Sequence, residues 1–274
     1  MSELTSKLVA CDVDGTLLDS NGRLRERTKE ALSLASEAGA TITLATGRDW
    51  LAVEYLLKEL PSVSYAICVN GAEVRTSNGE KLYSHEIGKD LANQIIGKTR
   101  DSISGVSMGA SINGRLVAEQ RLADSLPPTP KGVESFAEKV VPDLLTELDQ
   151  NVQDLVIYHQ DFENKLDDLF ALVCSFVDME GVAVTYSGLP MIEILPLESG
   201  KDSALSWLAK HLEISKDQVV AFGDNMNDVS MLRWAGLGVA MGNSSLELLK
   251  YADQITLTND QDGVAAWIEM QLSQ

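Results

Sequence analysis

Asp12 and Asp14 stand two positions apart at the end of the apolar run Lys7-Leu8-Val9-Ala10-Cys11. Residues i and i+2 of an extended backbone share a face, so both carboxylates start on one side of the chain. Gly15 then lets the chain turn sharply. Two carboxylates at the end of a buried strand repel unless a cation or a proton sits between them. An isolated Asp-x-Asp equally serves as a turn whose side chains cap backbone amides.

A second acidic stretch, Gly223-Asp224-Asn225-Met226-Asn227-Asp228, follows the run Val219-Val220-Ala221-Phe222 and precedes a helical pattern containing Val229, Met231 and Leu232. By itself it also reads as an Asx turn and helix cap. It lacks the glycine and distal glutamate of a twelve-residue calcium loop. If Asp12, Asp14 and Asp224 converge at one sheet edge, the oxygen-rich cluster suits Mg²⁺. Thr46-Gly47-Arg48 ends an apolar run and opens a helix, where a hydroxyl beside unpaired amides can cradle phosphate. Lys201 opens another helix after Ser199-Gly200, a place where a solvated lysine is the ordinary reading.

Other chemistries find little support. The chain has neither a Walker loop nor GxGxxG, and Ser199, Ser203 and Ser206 lack a GxSxG elbow. His85, His159 and His211 are far apart and read as surface or core residues, and Cys11, Cys68 and Cys174 show no CxxC spacing.

The elements that must position these residues follow from continuous apolar runs at 7–11, 41–45, 65–69 and 219–222, which fit parallel strands buried on both faces. Ala31, Leu32, Leu34, Ala35 and Ala38 mark a helix between the first two, and Ala204, Leu205, Leu208 and Leu212 mark one before the fourth. Runs at 238–241 and 254–257 add strands, with helices near 244–251 and 263–272. The expectation is a doubly wound parallel α/β core, Rossmann-like, made from 1–82 and 191–274. Residues 83–190 are expected to form an α+β insertion between these halves, with a strand at 154–158 between helical stretches near 133–148 and 161–179. Asn78-Gly79 signals a tight hairpin with positive φ between 73–75 and 81–83.

The 274 residues carry 41 acidic and 22 basic side chains, a net charge of −19. This disfavours nucleic acid and anionic membrane as partners. Residues 133–180 alone hold 12 acids against 2 bases and are expected to face solvent. The start of the chain shows no basic segment followed by an apolar one, and the expected compartment is the cytoplasm.

Taken in order, Asp12-Val13-Asp14-Gly15-Thr16-Leu17-Leu18, Thr46-Gly47-Arg48, Lys201 and Ala221-Phe222-Gly223-Asp224-Asn225-Met226-Asn227-Asp228 resemble the haloacid dehalogenase-like phosphohydrolases. Asn70-Gly71-Ala72, Glu193-Ile194-Leu195-Pro196 and Gly238-Val239-Ala240-Met241-Gly242-Asn243 are similar to the Cof-type branch, whose cap lies between the second and third motifs. That resemblance makes 83–190 an inserted α+β cap domain. Asp202 stands where family members often have glycine.

The resemblance implies a Mg²⁺-dependent phosphomonoester hydrolase for a small phosphorylated metabolite, such as a sugar phosphate. Asp12 is then the nucleophile that forms an aspartyl phosphate, and Asp14 the acid and base. Mg²⁺ is held by Asp12, Asp224 and the backbone carbonyl of Asp14. Thr46 and Gly47 bind the phosphoryl group, and Lys201 balances its charge. Asn227 touches phosphate or orients Lys201, and Asp228 supports the site from behind. Arg100, Arg115, Arg121 and Lys131 are candidates for reaching substrate from the cap. The alternatives are a phosphotransferase or phosphomutase of the same superfamily, and a binding protein that keeps the fold without turnover.

Overall fold

The computed structural model describes residues 5–130, 133–177, 181–186 and 189–273. Its first half comprises β1 (Leu8–Cys11), α1 (Glu26–Glu37), β2 (Thr41–Ala45), α2 (Trp50–Glu59), β3 (Val63–Cys68), β4 (Glu73–Thr76) and β5 (Lys81–Ser84). An insertion follows: α3 (Lys89–Ser102), β6 (Ser107–Ile112), β7 (Arg115–Glu119), α4 (Gln120–Ser125), β8 (Ala137–Val141), α5 (Leu144–Glu147), β9 (Asp154–Tyr158), α6 (Leu166–Phe176), β10 (Val182–Thr185) and β11 (Met191–Pro196). The chain ends with α7 (Lys201–His211), β12 (Val219–Gly223), α8 (Val229–Trp234), β13 (Leu237–Ala240), β14 (Gln254–Ile255) and α9 (Gly263–Leu272).

The first sheet has strand order β14-β13-β12-β1-β2-β3-β4-β5, parallel from β14 to β3. β1 lies between β2, which follows it, and β12, which returns from the far end of the chain. The winding direction therefore reverses at β1, and the carboxyl ends of β1 and β12 open the crevice that such a reversal creates. Leu8 and Ala10 of β1 pack with Ala204, Leu205 and Leu208 of α7 and with Met231 and Leu232 of α8. Residues of the other parity serve the opposite face, where Phe222 of β12 meets Trp267 of α9 edge-on at 5.2 Å and α1 packs beside α9. With helices on both faces, β1 is apolar and buried throughout.

The second sheet has the order β10-β11-β9-β6-β7-β8 and is antiparallel except between β7 and β8. Ile95 and Ile96 of α3, Leu169 and Val173 of α6, Leu155 and Ile157 of β9 and Ile192 and Ile194 of β11 form its main core. The fold is thus a doubly wound α/β core interrupted by an α+β insertion. Two compact units divide the chain: one runs up to Gly47, through Leu56–Tyr83 and from Gly200 onward, the other comprises Arg48–Tyr55 and Ser84–Ser199.

Several local expectations change. Residues 191–199 were expected in the α/β halves, but β11 pairs with β9 and β10 in the second sheet. The stretch 133–148 is not one helix. Pro142 removes an amide donor and holds Val141 extended, so β8 precedes it and the one-turn α5 follows, capped by Asp143. Near 244–251 there is only a 3₁₀ turn, Leu248–Tyr251, because Leu248 alone is buried there. The Asn78-Gly79 turn has positive φ at Gly79 only, and Thr76 N–H donates to Glu80 across a longer loop. The tight two-residue hairpin lies instead at Asn113-Gly114, both with positive φ, joining β6 to β7.

Candidate active site

Asp12 extends the Leu8 and Ala10 row of β1 by one step, toward the face that α7 covers. Lys201 is the first residue of α7 and is 1% exposed. Its Nζ donates to Asp12 Oδ1 at 2.7 Å and to Asp228 Oδ1 at 2.6 Å. The solvated lysine of the sequence reading is therefore a buried ammonium between two carboxylates. Asp228 Oδ2 also accepts the N–H groups of Asp224 and Asn225, at 3.0 and 3.1 Å, which closes the turn after β12. Gly223 leaves room for that closure, since a side chain there would overlap Asp228.

Asp224 follows β12 and accepts the Thr16 hydroxyl at 3.2 Å. Gly15 has φ +81°, and any Cβ on it would overlap the Asp224 carboxylate. Glycine is thus required both for the turn after Asp14 and for the close approach of the two strand ends. Asn243 Nδ2 donates to the Gly15 carbonyl at 2.8 Å, and Asn259 Nδ2 donates to the Leu18 carbonyl at 2.9 Å. These contacts fix the loop that carries Asp14. Asp14 itself is exposed, yet close enough for its charge to act on Asp224.

The electrostatics follow from crowding. Burial first, then the charge of Asp228, pushes the Asp12 carboxyl well above its ordinary range, with Lys201 opposing. Asp224 is pushed up to about 6, mainly by burial and then by Asp228. Burial alone would lower Lys201, but Asp12 and Asp228 outweigh it and hold the ammonium charged. Burial, reinforced by Asp12, pushes the Cys11 thiol up, so Cys11 is no thiolate nucleophile.

One carboxylate oxygen from each of Asp12, Asp224 and Asp228 lies within 4.8 Å of the other two. Three carboxyl groups crowd around the ammonium of Lys201 in a largely buried, all-oxygen cluster, and burial together with their mutual repulsion raises Asp12 and Asp224. A small hard divalent cation fits that donor set. Of the expected metal set of Asp12, Asp224 and the Asp14 carbonyl, the Asp12 and Asp224 carboxylates do converge, and the Asp228 carboxylate lies with them.

Thr46 is 1% exposed and Gly47 half-buried, in the loop after β2. They do not open a helix. α2 starts at Trp50, and Asp49 Oδ1 accepts the Ala52 N–H at 3.0 Å as its cap, a role aspartate fills better than threonine. Thr46 is instead tied by its backbone, N–H to the Ile67 carbonyl and carbonyl to the Asn70 N–H, at 2.9 and 3.0 Å. Asn227 Nδ2 donates to Asn70 Oδ1 at 3.0 Å. Asn70, Thr16, Asn243 and Asn259 were given no role by the sequence reading. Burial marks Thr16, Asn70 and Asn259, and the bond to the Gly15 carbonyl marks the exposed Asn243; both signals exist only after folding.

Within the inserted unit, Arg100 pairs with Glu119 at the end of β7 and with Asp143 before α5, the latter at 2.7 Å. Arg115 pairs with Glu138 at 2.7 Å and Arg121 donates to the Gly105 carbonyl at 3.3 Å. Lys131 lies outside the described residues.

A family model described as haloacid dehalogenase-like hydrolase matches residues 9–268. Phosphatase YwpJ of Bacillus subtilis is 31% identical over 287 residues, covering 94% of this chain and 97% of its own. The 5-amino-6-(5-phospho-D-ribitylamino)uracil phosphatase YwtE of the same organism is 30% identical over 290 residues, with 97% and 98% covered. The crystal structure of a haloacid dehalogenase-like hydrolase from Bacteroides thetaiotaomicron matches with a TM-score of 0.80 and 30% identity, covering 97% of this chain and 99% of that one.

Proposed function

The chain belongs to the haloacid dehalogenase-like hydrolases, and from that membership we propose that it is a Mg²⁺-dependent phosphatase that cleaves small phosphomonoesters through an aspartyl phosphate on Asp12. The observation that carries this reading is the Lys201 ammonium bridging Asp12 and Asp228, with Asp224 beside them, at the carboxyl ends of β1 and β12. The relatives at 30% identity or more named above as phosphatases support it.

In the first half-reaction an Asp12 oxygen attacks phosphorus, the bond from phosphorus to the ester oxygen breaks, and Asp14 gives its proton to the departing alkoxide. In the second, Asp14 takes a proton from water, whose oxygen attacks phosphorus and frees the Asp12 carboxylate and inorganic phosphate. The exposure of Asp14 suits a group that exchanges protons with leaving group and water. Lys201 favours the charged form of Asp12 against burial and the charge of Asp228, and a bound divalent cation would favour it further. Thr46 and Gly47 hold the phosphoryl oxygens, with Asn227 and Lys201 as further donors. Bound at Asp12 and Asp224, Mg²⁺ supplies charge neutralisation between the nucleophile and an anionic substrate. Asp228 keeps Lys201 and the Asp224 turn in place.

The inserted unit serves as the cap that selects substrate. The phosphate in the name of YwtE's substrate sits on a ribityl chain, which supports a phosphorylated sugar or polyol as substrate class. The test is phosphate release from a panel of phosphorylated metabolites with Mg²⁺ and water as the only acceptor. Release supports the hydrolase, and turnover that requires an added alcohol would replace it with a phosphotransferase.

A further inference from the structure

Val69, Asn70 and Gly71, immediately after β3, have φ of +50°, +48° and +97° in succession. Asparagine and glycine tolerate that region, but a β-branched valine rarely enters it, and such conformations persist only where the surroundings impose them. The surroundings here are the segments that carry the candidate site. The Asn70 N–H donates to the Thr46 carbonyl at 3.0 Å. Gly71 lies so close to the Gly200 carbonyl and the Lys201 amide that any side chain on it would overlap them. The Asn70 side chain is buried, 5% exposed, and its Oδ1 accepts Asn227 Nδ2 at 3.0 Å. One three-residue turn thus touches the segments bearing Thr46, Lys201 and Asn227.

We infer that Asn70 is a positioning residue for phosphoryl binding, which holds the Asn227 amide through its side chain and the Thr46 loop through its backbone. The inference rests on the reading of Thr46 and Asn227 as phosphate-binding groups. Sequence distance is the physical reason for such a device. Asn227 lies 157 residues from Asn70 along the chain, and a side-chain amide on a short turn keeps several rotamers unless a partner selects one. A turn that only linked β3 to β4 would need neither the buried amide pair nor a valine at positive φ.

The test is a double-variant cycle with Asn70→Gly, Asn227→Ala and both together. Glycine suits the backbone at position 70 and removes only the side chain, and thermal melting checks that each variant folds. Two quantities are read: kcat/KM for p-nitrophenyl phosphate with saturating Mg²⁺, and the Kd of inorganic phosphate by calorimetry. Asn70→Gly should lower kcat/KM and weaken phosphate binding roughly tenfold, and the double variant should be no worse than Asn227→Ala alone, because coupled residues are non-additive. Independent, multiplying losses in the double variant would overturn the inference, as would wild-type values for Asn70→Gly. If the wild type binds phosphate but hydrolyses no phosphomonoester, the hydrolase reading fails and the calorimetric cycle still decides the role of Asn70. If the wild type binds no phosphate, both are overturned.

Discussion

Lys201 is a cation with almost no access to water, and its environment explains what that position does for the fold as well as for chemistry. Removing one member of a buried ion pair leaves its partner charged and unsolvated. Lys201→Met should therefore lower stability by about 3–5 kcal/mol in metal-free protein. Urea unfolding followed by tryptophan fluorescence measures this, and a loss near zero would mean that Asp12 and Asp228 do not depend on the ammonium. Asp12→Asn should behave differently. It keeps shape and an acceptor for Lys201 while removing the nucleophile, so turnover should fall on the order of 10³-fold or more with the fold intact by circular dichroism. Wild-type-like turnover would refute the assignment. The sequence made Asp12 legible because its place after an apolar strand is a local property. For Lys201 the motif resemblance gave a role, but its local sequence read as a solvated lysine, because the two carboxylates that bury it come from positions 12 and 228.

β6 and β9 illustrate the scale of elements, where pairing sets the environment of single groups. Asp154 opens β9 as a buried carboxyl whose Oδ1 accepts the Ser111 N–H at 2.9 Å across the sheet. Burial pushes its pKa up to about 6, against the Ser111 hydrogen bonds. The unfolded chain releases this proton near pH 4, so the folded state binds more protons between pH 4 and pH 6, and stability declines as pH rises through that window. The loss amounts to about 3 kcal/mol once complete. Asp154→Asn is neutral at every pH and keeps the acceptor, so it should raise the melting temperature at pH 7.5 and do so less at pH 4.5. Equal shifts at the two pH values would contradict the cause. At this scale the sequence revealed β9 through its apolar run, but Asp154 counted only as one more acid expected in solvent. The Asn113-Gly114 hairpin carried a local signal of the same kind as Asn78-Gly79, and only pairing told the tight turn from the wider one.

Over the whole molecule, the charge of −19 is unevenly placed. Most described acids of 133–180 are exposed, with Asp154 the buried exception, whereas Asp12, Asp224 and Asp228 crowd one edge of the first sheet. Among the described residues no helix is long and apolar enough to cross a membrane. A divalent ion at the carboxylate cluster would bind the folded chain and not the unfolded one, so it should raise stability by about 2.7 kcal/mol at a hundredfold excess over Kd. EDTA should accordingly abolish phosphate release and lower the melting temperature, and Mg²⁺ should restore both. Activity that survives EDTA would count against the metal. The sequence by itself determined the α/β class, the strands that end in Asp12 and Asp224, and the glycines that turn beside them, because periodicity and turn chemistry act between near neighbours. Tertiary structure alone decided that β11 joins the second sheet, that Lys201 is buried between Asp12 and Asp228, and that Asn70 holds Asn227. Each of these depends on which distant segments pack together, and burial and pairing exist only once they have.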